Sequence, residues 1–428
     1  MVGPIRPTVL RNRHFLLLWS AQAISQTAQN VIVIALLVEV GRLTASSVQH
    51  SLLVLSFIVP AALLGPLAGV LVDRVDKRSV LALTNFLRAG AVLAYTVIGP
   101  TWPIGRALIA LYLLSALFSA ISQFFAPAEA STIPLLVHGS QLAVANSLFE
   151  LTLISSQVIG FSILGPVLIK LTTPHALFLV VSSLYLVCAL LVALLPALPP
   201  GEREARPSGL SDELRRAWRE MREIWSFIAR ERAVAMAIVD LALTTSIFLM
   251  LGTLGVGLVS KVMGLPSSDL AYLMASGGSG LVLGLVLVPR VVSRFDSGTL
   301  VDVGLGVMGV SIAGMAYADL VSRLLGGSAP RAESALGLVT VVCLASGIGV
   351  GSAFVTVPAQ TLLQRRTPTP LRGRVFASLF AVSSALSIPP VLFTGALADL
   401  LGLREVMALI GLLTVALAVA GRYGRIWT

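Results

Sequence analysis

Twelve apolar runs, each close to or beyond the 18 or so residues that cross a bilayer, divide this chain of 428 residues and admit only a polytopic α-helical membrane protein. Charged residues make up 12% of it, about half the roughly 25% of a soluble domain. A soluble enzyme is thereby excluded. The 22 prolines and 37 glycines are too scattered for a fibrous or disordered chain. The runs lie near 15–40, 51–72, 80–99, 107–126, 142–169 and 176–195, and after a polar interval near 233–259, 268–289, 298–318, 335–362, 375–397 and 404–421. Two six-span halves follow, 1–195 and 233–428, joined by 196–232.

A formal net charge of +10 suggests nucleic acid until the basic residues are placed. With the N-terminus inside, 22 of the 30 Lys and Arg fall in cytoplasmic segments, 7 fall outside, and Arg88 alone lies within a span. Positive loops stay cytoplasmic, so both termini are expected there and topology absorbs the basic excess. Nucleic acid is not expected as a partner. Cys188 and Cys343 each sit inside an apolar run, and His14, His50, His138 and His175 lie at run ends with no second His or Cys at metal-ligand spacing. No disulfide framework, metal site or His-based catalytic centre is expected.

The interval 196–232 reads as a helix starting at Ser211, with Asp212 and Glu213 in its first turn. Leu214, Trp218, Met221, Trp225 and Ile228 share one face against arginines and glutamates, the pattern of an interfacial helix that connects the halves. An internal repeat supports the division. Pro127-Ala128 precedes Ser147-Leu148 by the same 20 residues that separate Pro358-Ala359 from Ser378-Leu379. Parallel six-span repeats about an axis normal to the membrane, with substrate bound near the midplane, form one large transporter arrangement.

The segment Gly69-Val-Leu-Val-Asp73-Arg74-Val-Asp76-Lys77-Arg78 resembles the signature loop of the major facilitator superfamily, with Asp76 where glycine is commoner. Leu10 to Trp19, Phe125-Ala-Pro127-Ala128 with Ala145-Asn146-Ser147-Leu148, and Thr361 to Pro368 with Arg372-Gly373-Arg374-Val-Phe376 resemble the efflux branch of that superfamily that contains macrolide exporters and the enterobactin exporter, described as drug:proton antiporters. The resemblance implies the twelve-helix major facilitator fold and a gating latch. Gly69 lets helices approach, and Asp73 sets a carboxylate against the positive N-terminal end of span eleven, after Arg372, Gly373 and Arg374. Arg74, Lys77 and Arg78 would pair with acidic groups or lipid phosphates. Antiporters of the superfamily carry Gly-Pro in span five; here Phe161 follows Gly160 and the pair Gly165-Pro166 comes later, which leaves the direction of transport open.

An ionisable residue within a span costs roughly 2.5 to 3.5 kcal/mol on insertion scales, so each needs a reason. Asp240 lies 8 residues past Arg232, Glu150 9 past Gln141 and Arg88 9 past Ser79. At 1.5 Å per residue each is about 12 to 14 Å inside a core about 30 Å thick. A carboxyl in low dielectric holds its proton more tightly than in water, as a proton-coupling group must. Asp240, Glu150 and Arg88 are therefore the candidate coupling residues, with Glu150 either titrating or locked in an ion pair with Arg88. Glu39, Asp269, Asp302, Asp319 and Asp399 lie near span ends, where a solvated or interfacial role is expected.

In span one Gln22, Gln26 and Gln29 recur at helical spacing with Ser25 and Asn30 beside them. Such a stripe either lines a wet cavity or glues helices together. The resemblance makes span one a cavity helix, with Thr244, Thr245 and Ser246 of span seven facing it.

These features predict a secondary transporter that exports amphipathic or cationic small molecules in exchange for protons by alternating access. It would be a monomer of the prokaryotic plasma membrane, with no cofactor; its partners would be a small-molecule substrate, protons and the lipid bilayer. Uptake or lipid translocation on the same fold is the alternative. A membrane-embedded enzyme has against it the lack of a His or Cys cluster and of a phosphate-binding Gly-x4-Gly-Lys-Ser/Thr loop. A receptor would leave the midplane carboxylates without a use.

Overall fold

The structure is a computed structural model describing residues 9–72, 75–99, 101–138, 141–197, 222, 226, 228, 230–262, 270–292, 295–318, 320–321, 335–367 and 372–424, without the side chains of some helical positions. Every regular element among the described residues is helical, and twelve helical stretches are long and apolar enough to cross a bilayer. The interfacial helix expected in 196–232 lies almost wholly outside the described residues.

Spans one to three are α1 (Arg13–Leu43), α2 (Ser47–Val72) and α3 (Lys77–Ala94). Span four is longer than expected, because α4 (Ile104–Ser122) is followed after a short turn by α5 (Phe125–Leu136). Pro127 falls in the first turn of α5, where its missing N–H costs no helical hydrogen bond. The proline thus permits a restart rather than ending the span at 126.

Span five is α6 (Leu142–Gln157), a π-helical stretch over Val158–Leu164 and α7 (Gly165–Leu171); α8 (Pro174–Ala193) is span six. Pro166, just beyond the π-helical stretch, cannot donate back along the helix, a recognised cause of such a local widening. Spans seven to twelve are α9 (Arg232–Gly257), α10 (Leu270–Val292), α11 (Ser297–Ala316), α12 (Ala335–Arg366), α13 (Arg372–Leu401) and α14 (Leu403–Gly424).

The chain forms two compact units, Met1–Leu36 with Val59–Pro207 and Leu37–Ile58 with Ser208–Thr428. In the first, α3 shows how a chain folds when its solvent is hydrocarbon. Thr84, Asn85 and Arg88 are buried while Leu83 and Phe86 are exposed, so the polar face turns inward. Phe15, Leu81, Phe125, Phe149 and Cys188 share the core behind that face.

Packing between helices relies on small residues, because apolar lipid gives no hydrophobic drive to associate. A Cβ on Gly160 would stand 2.5 Å from Asn30 Cβ and 2.9 Å from the Thr27 carbonyl, and one on Gly165 2.6 Å from Ile34 Cγ2. Both glycines therefore seat span five against α1. In the second unit, Gly280 of α10 lies against the backbone of Ser346 of α12. A Cβ on Gly351 of α12 would stand 2.5 Å from the Gly304 carbonyl of α11.

The departure at Asp76 has a structural reason. Its carboxylate caps α3, accepting from the Ser79 amide at 3.0 Å and the Ser79 hydroxyl at 2.6 Å. Asp296 repeats the device on α11, accepting from the Thr299 amide at 2.9 Å and the Thr299 hydroxyl at 2.5 Å. Those two donors hold the Asp296 carboxyl below its usual range. Its contribution is complete at neutral pH and is lost as the pH falls through that lowered value. Asp76→Ala and Asp296→Ala should each lower stability by about 1 kcal/mol, read as a drop in the unfolding midpoint of the detergent-solubilised protein.

Asp399, expected to be merely interfacial, has a defined task in the second unit. It accepts from the amides of Ser47 at 2.8 Å and Val48 at 3.2 Å and from the Ser46 hydroxyl at 2.5 Å, capping α2 from the far end of α13. Ser51 donates to the Val391 carbonyl at 2.9 Å, a second tie between the same two helices. His50, at the run end as expected, is buried in the first turn of α2, its Nδ1 donating to the Ser46 carbonyl at 2.9 Å.

Candidate functional site

The inward face of α3 places Arg88 at the centre of the first unit, 2% exposed. Its guanidinium donates to Ser25 Oγ of α1 at 3.0 Å and to the Ser122 carbonyl of α4 at 3.2 Å. The Phe125 ring lies under it at 4.7 Å, with Tyr185 at 5.8 Å and Phe118 at 6.0 Å. Ser25 passes the contact on, donating to Asn85 Oδ1 at 3.4 Å, and Tyr185 of α8 donates to the Ser25 carbonyl at 3.3 Å. Five helices thus meet on one cation. Cation–π contact and charged hydrogen bonds are strongest in a dry site of this kind.

Glu129 of α5, which falls beyond the expected end of span four, is the carboxylate whose charge acts on Arg88. It is 7% exposed, and its Oε1 has no hydrogen-bond partner among the described residues. The two charges sense each other without closing a direct bridge. Among the described residues only Glu39 and Arg42, at 3.3 Å, form one. The side chain of Glu150, the partner expected from depth, lies outside the described residues.

The polar stripe of α1 divides by role. Gln22 and Ser25 are buried; Gln26, Gln29 and Asn30 are half-buried. Asn30 donates to the Ser156 carbonyl of α6 at 3.0 Å, and Trp19 Nε1 to Thr152 Oγ1 at 2.7 Å, so part of the stripe holds α1 to span five. In the second unit Asp240 is 4% exposed on α9. Thr244 and Thr245 return their hydroxyls to carbonyls one turn back, those of Asp240 and Leu241, while Ser246 reaches Ser387 of α13 at 2.8 Å.

Of the expected latch, Arg78 donates to the Ala193 carbonyl at the end of α8 and Lys77 is buried. Asp73 and Arg74 lie outside the described residues, as do the side chains of Arg372 and Arg374 and the surroundings of Gly69 and Gly373. Sequence reasoning missed Glu129 and Asn85, and the partners of Asp399. The first had a signal, the one charged residue in the Phe125–Leu136 stretch, which fell beyond the expected end of span four.

The profile of the Major Facilitator Superfamily matches residues 18–390. The "Uncharacterized MFS-type transporter YfiS" of Bacillus subtilis (strain 168) is 24% identical, over 98% of this chain and 95% of its own length. Macrolide efflux protein A of Streptococcus pyogenes is 22% identical, over 95% of this chain and 94% of its own. Among solved structures, the nucleoside transporter NupG is similar with a TM-score of 0.70 at 13% identity, covering 96% of this chain and 98% of that one. A bacterial homologue of the iron transporter ferroportin, in an inward-facing state, gives 0.67 at 19%, covering 96% and 99%. With twelve apolar spans and a profile match running from α1 into α13, the chain belongs to the Major Facilitator Superfamily of transporters.

Proposed function

We propose that this transporter exports amphipathic or cationic small molecules in exchange for protons by alternating access, with both termini on the cytoplasmic side of a prokaryotic plasma membrane. The observation that carries the reading is the burial of ionisable groups within the spans, Arg88 at 2% exposure and Asp240 at 4%. Their insertion cost, roughly 2.5 to 3.5 kcal/mol each, is too large for packing alone. The likeness to Macrolide efflux protein A supports export, and the excess of Lys and Arg on one side of the spans supports the orientation.

A carboxyl in Asp240's position can carry a proton inward and, unprotonated, attract a cationic solute. Competition for one group links the two flows in opposite directions. The half-buried amides of Gln26 and Gln29 would offer the solute hydrogen bonds without fixed charge. Reconstitution into proteoliposomes with an imposed pH gradient tests this, with a panel of macrolides and cationic dyes. Gradient-driven movement of a panel member opposite to the proton flow is the expected result; accumulation in the same direction as protons would make the protein an importer.

A further inference from the structure

We infer that Glu129 is the proton-binding group of the first unit, and that Arg88 is the fixed cation against which the proton is exchanged. The inference rests on the proton-coupled reading above and adds a residue and a mechanism to it. Two facts of geometry carry it: Glu129 is 7% exposed, and its Oε1 is without a hydrogen-bond partner among the described residues. The charge of Arg88, itself buried, acts on it, and no salt bridge joins the two.

A carboxylate kept only for structure would satisfy its oxygens or close the bridge, since an unpaired buried polar atom costs about 1 to 3 kcal/mol. A carboxyl that must bind and release a proton needs an oxygen left open. Arg88 shows the complementary feature. Its Nε is also unpartnered, and its contacts are to Ser25 Oγ, the Ser122 carbonyl and aromatic faces, all neutral groups that hold it whichever charge Glu129 carries.

The step is a simple one. Water on one side of the membrane gives a proton to a Glu129 oxygen, the carboxyl becomes neutral, and Arg88 is left as an uncompensated cation tied to α1 and α4. On release to the other side the O–H bond breaks, the proton returns to water, and the carboxylate again balances Arg88. Each transfer changes the charge balance among α1, α3, α4 and α5 by one unit. Among the described residues Arg88 is the one charged group acting on Glu129, and the other titratable groups facing Arg88 are Tyr185 and Cys188, both on α8 and both neutral hydrogen-bond donors, to the Ser25 and Ala21 carbonyls.

Infrared difference spectroscopy of the purified protein during a pH titration reads the carboxyl directly. A carbonyl-stretch band of protonated carboxylic acid should appear in the wild type as pH falls and be smaller in Glu129→Gln by the share of one carboxyl. Should that variant fold poorly, Arg88→Gln combined with Glu129→Gln buries no charge and serves in its place. A band of unchanged size in the variant overturns the inference. In proteoliposomes Glu129→Gln should reduce proton-driven accumulation by a factor in the roughly 5- to 150-fold range of a site coupling, while dye binding persists. Undiminished accumulation also overturns it. The two readings fail separately: a wild type that moves nothing against the pH gradient defeats proton-driven export, whereas the band assigns the proton site without any transport.

Discussion

Arg88→Ala is expected to cost about 3 to 5 kcal/mol and to cut the yield of folded protein sharply, because it removes the cation that balances Glu129 in a dry interior and obliges that carboxyl to stay unbalanced or take up a proton. The loss extends beyond charge. Ser25 Oγ, the Ser122 carbonyl and the Phe125 face would all lose the group that joins α1, α4 and α5 to α3. Arg88→Lys keeps the charge but not the planar fork, and should fall between wild type and alanine. Unfolding midpoints of the detergent-solubilised proteins check the order. The neutral double variant, Arg88→Gln with Glu129→Gln, should be more stable than Arg88→Ala, since it buries no unpaired charge; equal loss in both would mean that the aromatic and backbone contacts, rather than the charges, dominate.

The second large effect concerns transport rather than folding. Asp240→Asn keeps size and hydrogen bonding, so it should fold, bind an uncharged solute about as well as the wild type, and lose accumulation against a gradient. If the coupling carboxyl is instead Glu150, Glu150→Gln should show this phenotype and Asp240→Asn should not. If Glu150 serves only to support packing, its replacement should lower expression and stability together. Retention of full proton-driven transport in both single variants would make these two carboxylates structural.

The spans were legible because a bilayer crossing leaves a long, coarse signal: twelve runs near 20 residues correspond to the twelve helical stretches of the structure, mostly within a few residues at each end. Span four was placed short at one end, at 126, whereas the helix resumes at Phe125 and runs to Leu136, a proline in the first turn of a helix losing nothing. That one boundary concealed Glu129. Arg88 was legible from depth, but its surroundings were not. Which residue meets it depends on the rotation of α4, α5 and α8, and spacing along one helix does not encode that. Asp399 was read from its position near a span end, yet its partners at Ser46 to Val48 lie far away in sequence and appear only once α13 is placed beside α2.

The departures from family pattern proved informative in a local way. Asp76, standing where glycine is commoner, is a helix cap, and Asp296 performs the same task at the start of α11. The displaced Gly165-Pro166 pair follows a π-helical stretch, which brings both Gly160 and Gly165 against α1. These are consequences of packing and capping chemistry. They say how span five is seated, and the direction of transport has to be read from flux.

Coupling itself is tested most directly by proton counting. A compound from the panel that the reconstituted protein moves can be added to the purified protein in weakly buffered detergent solution while pH and bound compound are followed together. Proton and substrate that compete for a carboxyl must each weaken the other by the same factor, so binding of a cationic compound should release protons in proportion to the amount bound. Release that is lost in the neutralised carboxyl variants is the predicted result. Saturable binding of the compound with no change in bound protons, across the pH range in which transport occurs, would contradict proton-coupled exchange.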